Sequence, residues 1–298
     1  MRYMNKISIG VCAYNEEKNI GKLLKVLLSQ KLENNKIKEI IVVSSGSTDR
    51  TNEIVKKFMK KDKRIKLIEQ KERRGKASAV NLVIKNVTGN IIVLESADTL
   101  PGKNTVDELV RPFYDRKVGM TGGRPDPVDD RKIFMGWATH FLWGAHHFAS
   151  LIKPKLGEMV AFRNIVKKIP EDTAVDEACL QAIFEQREYK VVYVPSAIVY
   201  NKGPETISDF IKQRRRIYIG HTHLKKTKGY QISTMSTFGI IYSIIGYFTL
   251  NPIKISWAIA IIFLELISRM LATIDFYILK KNPYIWDIPE TTKELDIK

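Results

Sequence analysis

The apolar positions of the first 120 residues switch repeatedly between two periods. Residues 7–12 form a short β-rich run, while 19–30 place Ile20, Leu23, Leu24, Leu27 and Leu28 at helical spacing. A second apolar run at 39–43 precedes helical spacing over 51–59. Residues 65–68 read as a strand, 76–87 as a helix and 91–94 as a buried strand. This βαβαβαβ order predicts a mostly parallel sheet with helices on both faces. Ligands of such sheets sit beyond the carboxyl ends of the strands, so chemistry is expected in the loops after Cys12, Val43 and Leu94.

Further on, 133–152 reads as an amphipathic helix carrying Trp137, Phe141, Trp143 and Phe148. Residues 175–186 are helical, 191–194 a strand, and 208–220 a strongly basic helix. From about 234 the pattern changes. Residues 234–250 are apolar with hydroxyl interruptions, and after Asn251-Pro252 a second apolar stretch runs over 255–279. Both approach the roughly 20 residues that a membrane-spanning helix needs. Lys225, Lys226 and Lys228 precede the pair, Lys280 and Lys281 follow it, and only Lys254 lies between, which predicts both ends on the cytoplasmic side. Glu265, Arg269 and Asp275 are costly in lipid, so interfacial or core helices are the alternative; Glu265 and Arg269, four apart, can pair. The expected division is a catalytic domain over 1–228 and a membrane-associated hairpin and tail over 229–298, so that deleting 234–298 leaves a soluble domain.

Charge adds a class of partner. Forty-nine Lys and Arg against 32 Asp and Glu give a formal net charge of +17, which suits a nucleic acid, an anionic membrane surface or a phosphorylated substrate. Nucleic acid is set aside, because the excess is spread along the chain with no zinc-finger, basic-zipper or aromatic RNA-binding pattern. Two distant cysteines, Cys12 and Cys179, imply a reducing compartment, and residues 7–12 are too short and polar for a signal peptide. The catalytic part is expected in the cytoplasm.

Four segments fall where this sheet would bind a ligand. Ala13, Tyr14, Asn15 and Glu16 close the first strand, where a turn can hold a nucleotide beside a helix N-terminus. Ser44, Ser45, Gly46, Ser47, Thr48 and Asp49 follow the second and suit either a tight turn or contact with a base. Arg73, Arg74, Gly75 and Lys76 open a helix as an anion site, with spacing unlike a P-loop. Asp98, just past the strand at 91–94, is placed to hold Mg2+ or Mn2+ against a diphosphate.

This ordered set resembles family 2 glycosyltransferases, inverting enzymes of the GT-A fold. Asp176-Glu177 and Gln213-Arg214-Arg215-Arg216-Ile217 extend the match. They are similar to the acidic general-base motif and the Gln-x-x-Arg-Trp motif of chitin, hyaluronan and cellulose synthases. The resemblance implies a nucleotide-sugar donor, a UDP-sugar, and a lipid-linked or glycan acceptor at the cytoplasmic membrane face. It implies a general base within Asp176-Glu177, with spacing to Leu180 leaning to Glu177, and diphosphate stabilisation by Arg216 with Gln213 one turn away. Asp98, helped by Glu95, would hold the metal. Three positions depart from the pattern: Ser44 and Ser45 replace an acidic pair, Ser96 replaces the first carboxylate of the Asp-x-Asp motif, and Ile217 replaces the tryptophan. A polyprenyl-phosphate sugar synthase and a donor-binding scaffold without catalysis remain alternatives. Arg214 and Arg215 are expected to face lipid phosphates or solvent, Gly157-Glu158 to touch donor or acceptor, and His140, His146 and His147 to pack rather than bind metal.

Overall fold

The computed structural model describes residues 5–230, 251–286 and 294–295. Its centre is an eight-stranded sheet in the order β3-β2-β1-β4-β7-β6-β8-β5. The strands are β1 (Lys6–Ala13), β2 (Lys36–Ser45), β3 (Ile65–Gln70), β4 (Ile91–Ser96), β5 (Leu100–Pro101), β6 (Val118–Pro127), β7 (Val160–Arg163) and β8 (Lys190–Asn201). Pairs β1–β2, β2–β3, β1–β4 and β6–β8 are parallel, whereas β7 runs antiparallel to both neighbours and β5 antiparallel to β8. The sheet is therefore mixed and mostly parallel, as the GT-A expectation required.

Alternation along the strands builds two cores, one on each face. Ile7, Ile9, Val11, Ile40, Val42, Ile91 and Val93 meet Leu23, Leu24 and Leu27 of α1 (Ile20–Leu28). Ile41, Val43, Ile92 and Leu94 point the other way, onto α3 (Lys76–Asn86) and α6 (Asp176–Gln186) through Val80, Val83, Leu180 and Phe184. A Cβ at Gly10 would run into the Val83 side chain, so glycine lets α3 close on β1. The other surface helices are α2 (Thr51–Lys61), α4 (Thr105–Val110) and α5 (Phe134–Ile152). Sequence pattern alone did not reveal β6, whose Val-Gly-Met-Thr-Gly-Gly-Arg-Pro-Asp-Pro reads as a loop. Its strand form depends on β7 and β8, which supply the ladder that its glycines and prolines do not favour.

One buried carboxylate fixes the far end of the sheet. Glu39 accepts hydrogen bonds from Ser8 Oγ (2.8 Å), Thr88 N (2.7 Å) and Lys66 Nζ (2.7 Å). Burial pushes its carboxyl up, but Lys66, Thr88 and Ser8 more than reverse that and hold it at about 2. A depressed folded pKa contributes stability above the unfolded value that is lost as pH falls through the folded one. Glu39→Gln is accordingly expected to lose about 3 kcal/mol at pH 7 and to flatten the loss of stability between about pH 5 and 2. Denaturant unfolding across that pH range checks this.

Beyond the sheet, the basic helix is longer than its sequence pattern indicated. It is α7 (Ile207–Lys228), capped by Thr206 Oγ1 accepting from Asp209 N (3.1 Å) and ended by Gly229 at φ 65°. The second apolar stretch is α8 (Pro252–Thr273), continued by one π-helical turn (Ile274–Ile278). The first stretch, 234–250, lies outside the described residues. Pro252–Ile278 is 27 residues long and holds an 18-residue window of mean hydropathy 1.9, which suffices, on length and composition alone, to cross a membrane.

The charges on α8 answer the objection that its sequence raised. Glu265 accepts from Arg214 Nε (2.7 Å) and Nη2 (2.8 Å), and from Arg269 Nε (3.0 Å). Asp275 accepts from Arg215 Nε (2.9 Å) and Lys281 Nζ (3.2 Å). Arg214 and Arg215 thus face α8 and its extension, and the expectation that they meet lipid phosphates or solvent is corrected. The polar stripe of α8 thus faces α7. Ile261 packs with Met135, Ala138, Phe141 and Phe210 of α5 and α7, while Ile259, Phe263, Leu266 and Met270 point outward, each more than half exposed.

Candidate active site

A cavity of about 920 Å³ opens over the carboxyl ends of β1, β2 and β4. Ala13, Tyr14 and Glu16 line it after β1, Ser45 at the end of β2, and Ser96, Ala97 and Asp98 after β4. Gly75 and Lys76 enter from the N-terminus of α3, Asp176 and Glu177 from that of α6, and Gln213 and Arg216 from α7. Positions far apart in sequence are thus gathered in one place.

Three expected residues stand behind the wall. Ser44 is buried and donates to Ser47 Oγ (2.9 Å). Asn15, at φ 51°, donates its backbone N–H to Ser47 Oγ (3.0 Å) and accepts from Thr48 N at Oδ1 (2.8 Å), so it braces the β1 and β2 loops against each other. Glu95 is the third. Strand alternation puts it in phase with Ile91 and Val93, and its Oε1 accepts the Thr99 hydroxyl. Burial pushes its carboxyl well above the usual range. These three shape the site without lining it.

The acidic pair is tied to the lysine expected to hold phosphate. Lys76 Nζ lies 3.3 Å from Asp176 Oδ2 and donates to Glu177 Oε1. Burial pulls the ammonium down, but Asp176 and Glu177 together hold it well above the lysine range. Burial and the adjacent Glu177 push Asp176 up to about 6. Glu177 also feels burial, yet Lys76 more than offsets it and keeps this carboxyl low. Lys76 therefore ties the two acids together, and Arg73 and Arg216 also line the cavity.

Both arginines meet the C-terminal segment at 281–286, which the sequence pattern did not mark as part of a site. Arg73 stacks over Tyr14 (4.1 Å) and donates to the Trp286 carbonyl. Arg216 stacks on the Trp286 indole at 4.1 Å, and its buried Nε has no hydrogen-bond partner. Ile217 takes the place of the motif's tryptophan, while an indole reaches Arg216 from a distant segment. Gly75 sits at φ 84°, where a Cβ would come within 2.8 Å of the Tyr284 carbonyl, so both backbone and space require glycine. Burial lowers Arg216, opposed by Glu177, Asp176, Asp98 and Glu158.

Glu158 completes the carboxylates. It stands at φ 44° and accepts from Asn201 Nδ2 (3.2 Å). Burial and nearby Asp98 push it up to about 7.

The model of glycosyl transferase family 2 matches residues 8–184, and that of glycosyl transferase family group 2 matches 169–281. The chain belongs to glycosyltransferase family 2. It is 28% identical over 240 residues to the probable glycosyltransferase YdaM of Bacillus subtilis, covering 75% of this chain and 57% of that protein. Against the poly-beta-1,6-N-acetyl-D-glucosamine synthase of Staphylococcus aureus it is 25% identical over 223 residues, 70% of this chain and 53% of the synthase. The chain spans about half the length of these curated relatives.

Solved structures agree on the fold. Mannosyltransferase PcManGT from Pyrobaculum calidifontis, in complex with GDP-Man and Mn2+, superposes with a TM-score of 0.61 at 22% identity, over 95% of this chain and 82% of that one. Glucosyl-3-phosphoglycerate synthase from Mycobacterium tuberculosis gives 0.53 at 17% identity, over 77% and 82%. The fold is GT-A.

Proposed function

We propose that this family 2 transferase moves a sugar, with inversion, from a nucleotide-sugar donor to a lipid-linked or glycan acceptor at the cytoplasmic face of a membrane. The observation that carries the reading is the gathering of Asp98, Asp176, Glu177 and Arg216 in one cavity beyond the carboxyl ends of β1, β2 and β4. The donor is assigned as a UDP-sugar by the motif resemblance. Structural neighbours include one bound to GDP-Man with Mn2+ and one bound to UDP with Mn2+, so both nucleotides belong in the assay.

Tyr14, Glu16 and Ser45 form the donor end, where the base and ribose would sit. Arg73 and Arg216 supply preorganised positive charge for the departing diphosphate, which is where charge develops during transfer. Asp176 serves as the general base. It is a buried carboxyl with a raised pKa, and its neighbour Glu177 is committed to Lys76. That choice reverses the lean towards Glu177 given by spacing to Leu180.

Oxygen ligands suit Mg2+ or Mn2+, which need only one or two protein carboxylates when phosphates supply the rest. Asp98 and Glu158 would hold it, and a bound divalent cation would relieve the upward push on Glu158 from burial and Asp98. Glu158, rather than Glu95, is thus the second ligand proposed. A bound metal would offset charge on the diphosphate.

Membrane attachment is assigned to α8, lying along the surface with its ion pairs inward and Ile259, Phe263, Leu266 and Met270 outward. The test is to incubate detergent-solubilised protein with UDP- and GDP-sugars, Mg2+ or Mn2+ and a lipid extract, and to follow nucleotide release. Wild type is expected to turn over, and Asp98→Asn to lose about 100-fold or more of the metal-stimulated rate. Undiminished release by the variant would remove Asp98 from the metal site, and tight donor binding without turnover would favour a scaffold.

A further inference from the structure

The loop that opens α3 serves two concave surfaces. Arg73 and Gly75 line the donor cavity, whereas Arg74, expected beside them at an anion site, lines a separate groove of about 710 Å³. Five cations line this groove from three segments: Lys71 and Arg74 from the loop after β3, Lys85 from α3, and Lys167 and Lys168 from the loop after β7. The acids of the lining are Glu72 and Glu171. All five cations are exposed, and none makes an ion pair among the described residues. Lys56 and Lys57 of α2, by contrast, meet Glu69 and Glu53.

Side-chain bonds hold the three segments together. Asn81 of α3 donates through Nδ2 to the Ile169 carbonyl (2.9 Å) and accepts at Oδ1 from Ile169 N (2.8 Å). Gln70 Nε2 donates to Ser78 Oγ (3.0 Å), tying the end of β3 to the same helix. The ordinary explanation of such cations is a helix C-terminus, where they complement the dipole. It covers Lys85 in the last turn of α3, and Lys225, Lys226 and Lys228 in that of α7. It does not cover Lys71, Arg74, Lys167 and Lys168, which lie in loops and repel one another unless an anion sits among them.

The position of the groove says which anion. Val80 and Val83 of α3, Leu180 and Phe184 of α6 and Leu224 of α7 share one core, and α8 is bonded to α7. The groove and α8 therefore stand on the same side of the sheet. Asp172, one residue beyond the Glu171 of the groove, is met by the Asn282 amide at its carbonyl (2.8 Å) and by His223 at its carboxylate (3.6 Å). The segments that follow α8 and end α7 thus abut the groove wall. Lys225, Lys226, Lys228 and Lys280 are exposed there, and the outer apolar stripe reaches them at Ile278 and Leu279, 70% and 53% exposed. An apolar stripe continued by a basic surface suits the interface of an anionic bilayer.

We propose that the groove lined by Lys71, Arg74, Lys167 and Lys168 docks on anionic lipid headgroups, so that the chain selects a negatively charged membrane surface. Docking there rests on the assignment of α8 to a membrane. It adds the class of lipid, and a contact site separate from the donor cavity.

Flotation of the full chain, diluted from neutral detergent into vesicles, tests this. One set of vesicles is phosphatidylcholine and the other contains about one-third phosphatidylglycerol, which supplies the negative surface potential. Each basic residue near such a surface strengthens binding by about fivefold, so wild type should favour the anionic vesicles by about 100-fold or more at low salt. Most of that margin should vanish at about 0.5 M salt, where exposed charges are screened. The triple variant Lys71→Gln, Lys167→Gln, Lys168→Gln should lose most of the margin. The triple variant Lys60→Gln, Lys61→Gln, Lys63→Gln removes the same charge at the end of α2, which packs on the opposite core, and should keep it. A cooperative thermal melt reports that each is folded. Equal partition of wild type between the two vesicles, or equal losses in the two triple variants, overturns the role of the groove. A DNA duplex held through the same three lysines at a salt that releases the anionic vesicles overturns the lipid assignment. Ile259→Ser with Phe263→Ser should weaken binding to both vesicles alike. No effect of that pair, with the groove margin intact, sinks the α8 assignment alone, and no binding to either vesicle removes both.

Discussion

Asp176→Asn is expected to lower kcat by about 10²–10⁴-fold while leaving donor affinity within a few-fold of wild type. A hydroxyl attacking an anomeric carbon must lose its proton, and the buried, upward-shifted carboxyl of Asp176 is the group suited to take it. The base is active when ionised, so transfer falls as pH drops below about 6, by about tenfold per unit. The variant should lack that acid limb. Stability moves the other way. A carboxyl whose folded pKa is raised opposes folding once ionised, so removing the charge should leave the melting temperature at pH 7 unchanged or higher. Glu177→Gln separates the alternatives: it frees Lys76 and impairs turnover, yet it should retain a limb. Loss of the limb in Glu177→Gln with retention in Asp176→Asn would return the base to Glu177.

Glu265→Ala should be the most destabilising single substitution on α8. The carboxylate neutralises Arg214 and Arg269 and also acts electrostatically on Lys155. Removing it leaves like charges facing each other in a largely buried seam. Breaking one partner of such a set costs about 3–5 kcal/mol. For a chain of this size that lowers the melting temperature by roughly 6–20 °C, at about 2–4 °C per kcal/mol. Denaturation of the detergent-solubilised protein measures it, and a shift under 2 °C, at about 1 kcal/mol or less, would mean the seam is solvated. The same physics bears on deletion of 234–298. That truncation strips Glu265 from Arg214, Asp275 from Arg215 and Trp286 from Arg216. It should yield aggregated protein with impaired nucleotide binding, contrary to the soluble domain expected from the apolar pattern.

Much of the site was legible in the residues themselves. Short apolar runs alternating with helical spacing fixed β1, α1, β2, α2, β3, α3 and β4 in order, because a strand buried on both faces has few alternatives. The loops after those strands were then the first places to look for chemistry, and Tyr14, Ser45, Gly75, Lys76 and Asp98 do line the cavity. Local pattern failed where an element depends on its neighbours. β6 becomes a strand only between β7 and β8. Glu95 was a plausible ligand by adjacency to Asp98, yet the two-residue period of β4 turned it into the core.

What the sequence determined alone was therefore the parallel half of the sheet, the positions of its ligand-bearing loops and the amphipathic stretches, all set by contacts within a few residues. Tertiary structure decided which charges meet. Lys76 went to the acidic pair, Arg214 and Arg215 went to α8, and Trp286 came to Arg216 from 70 positions away. Those pairings depend on burial and on Coulomb interactions between segments distant in sequence, and neither is encoded in the spacing of residues along one helix or strand.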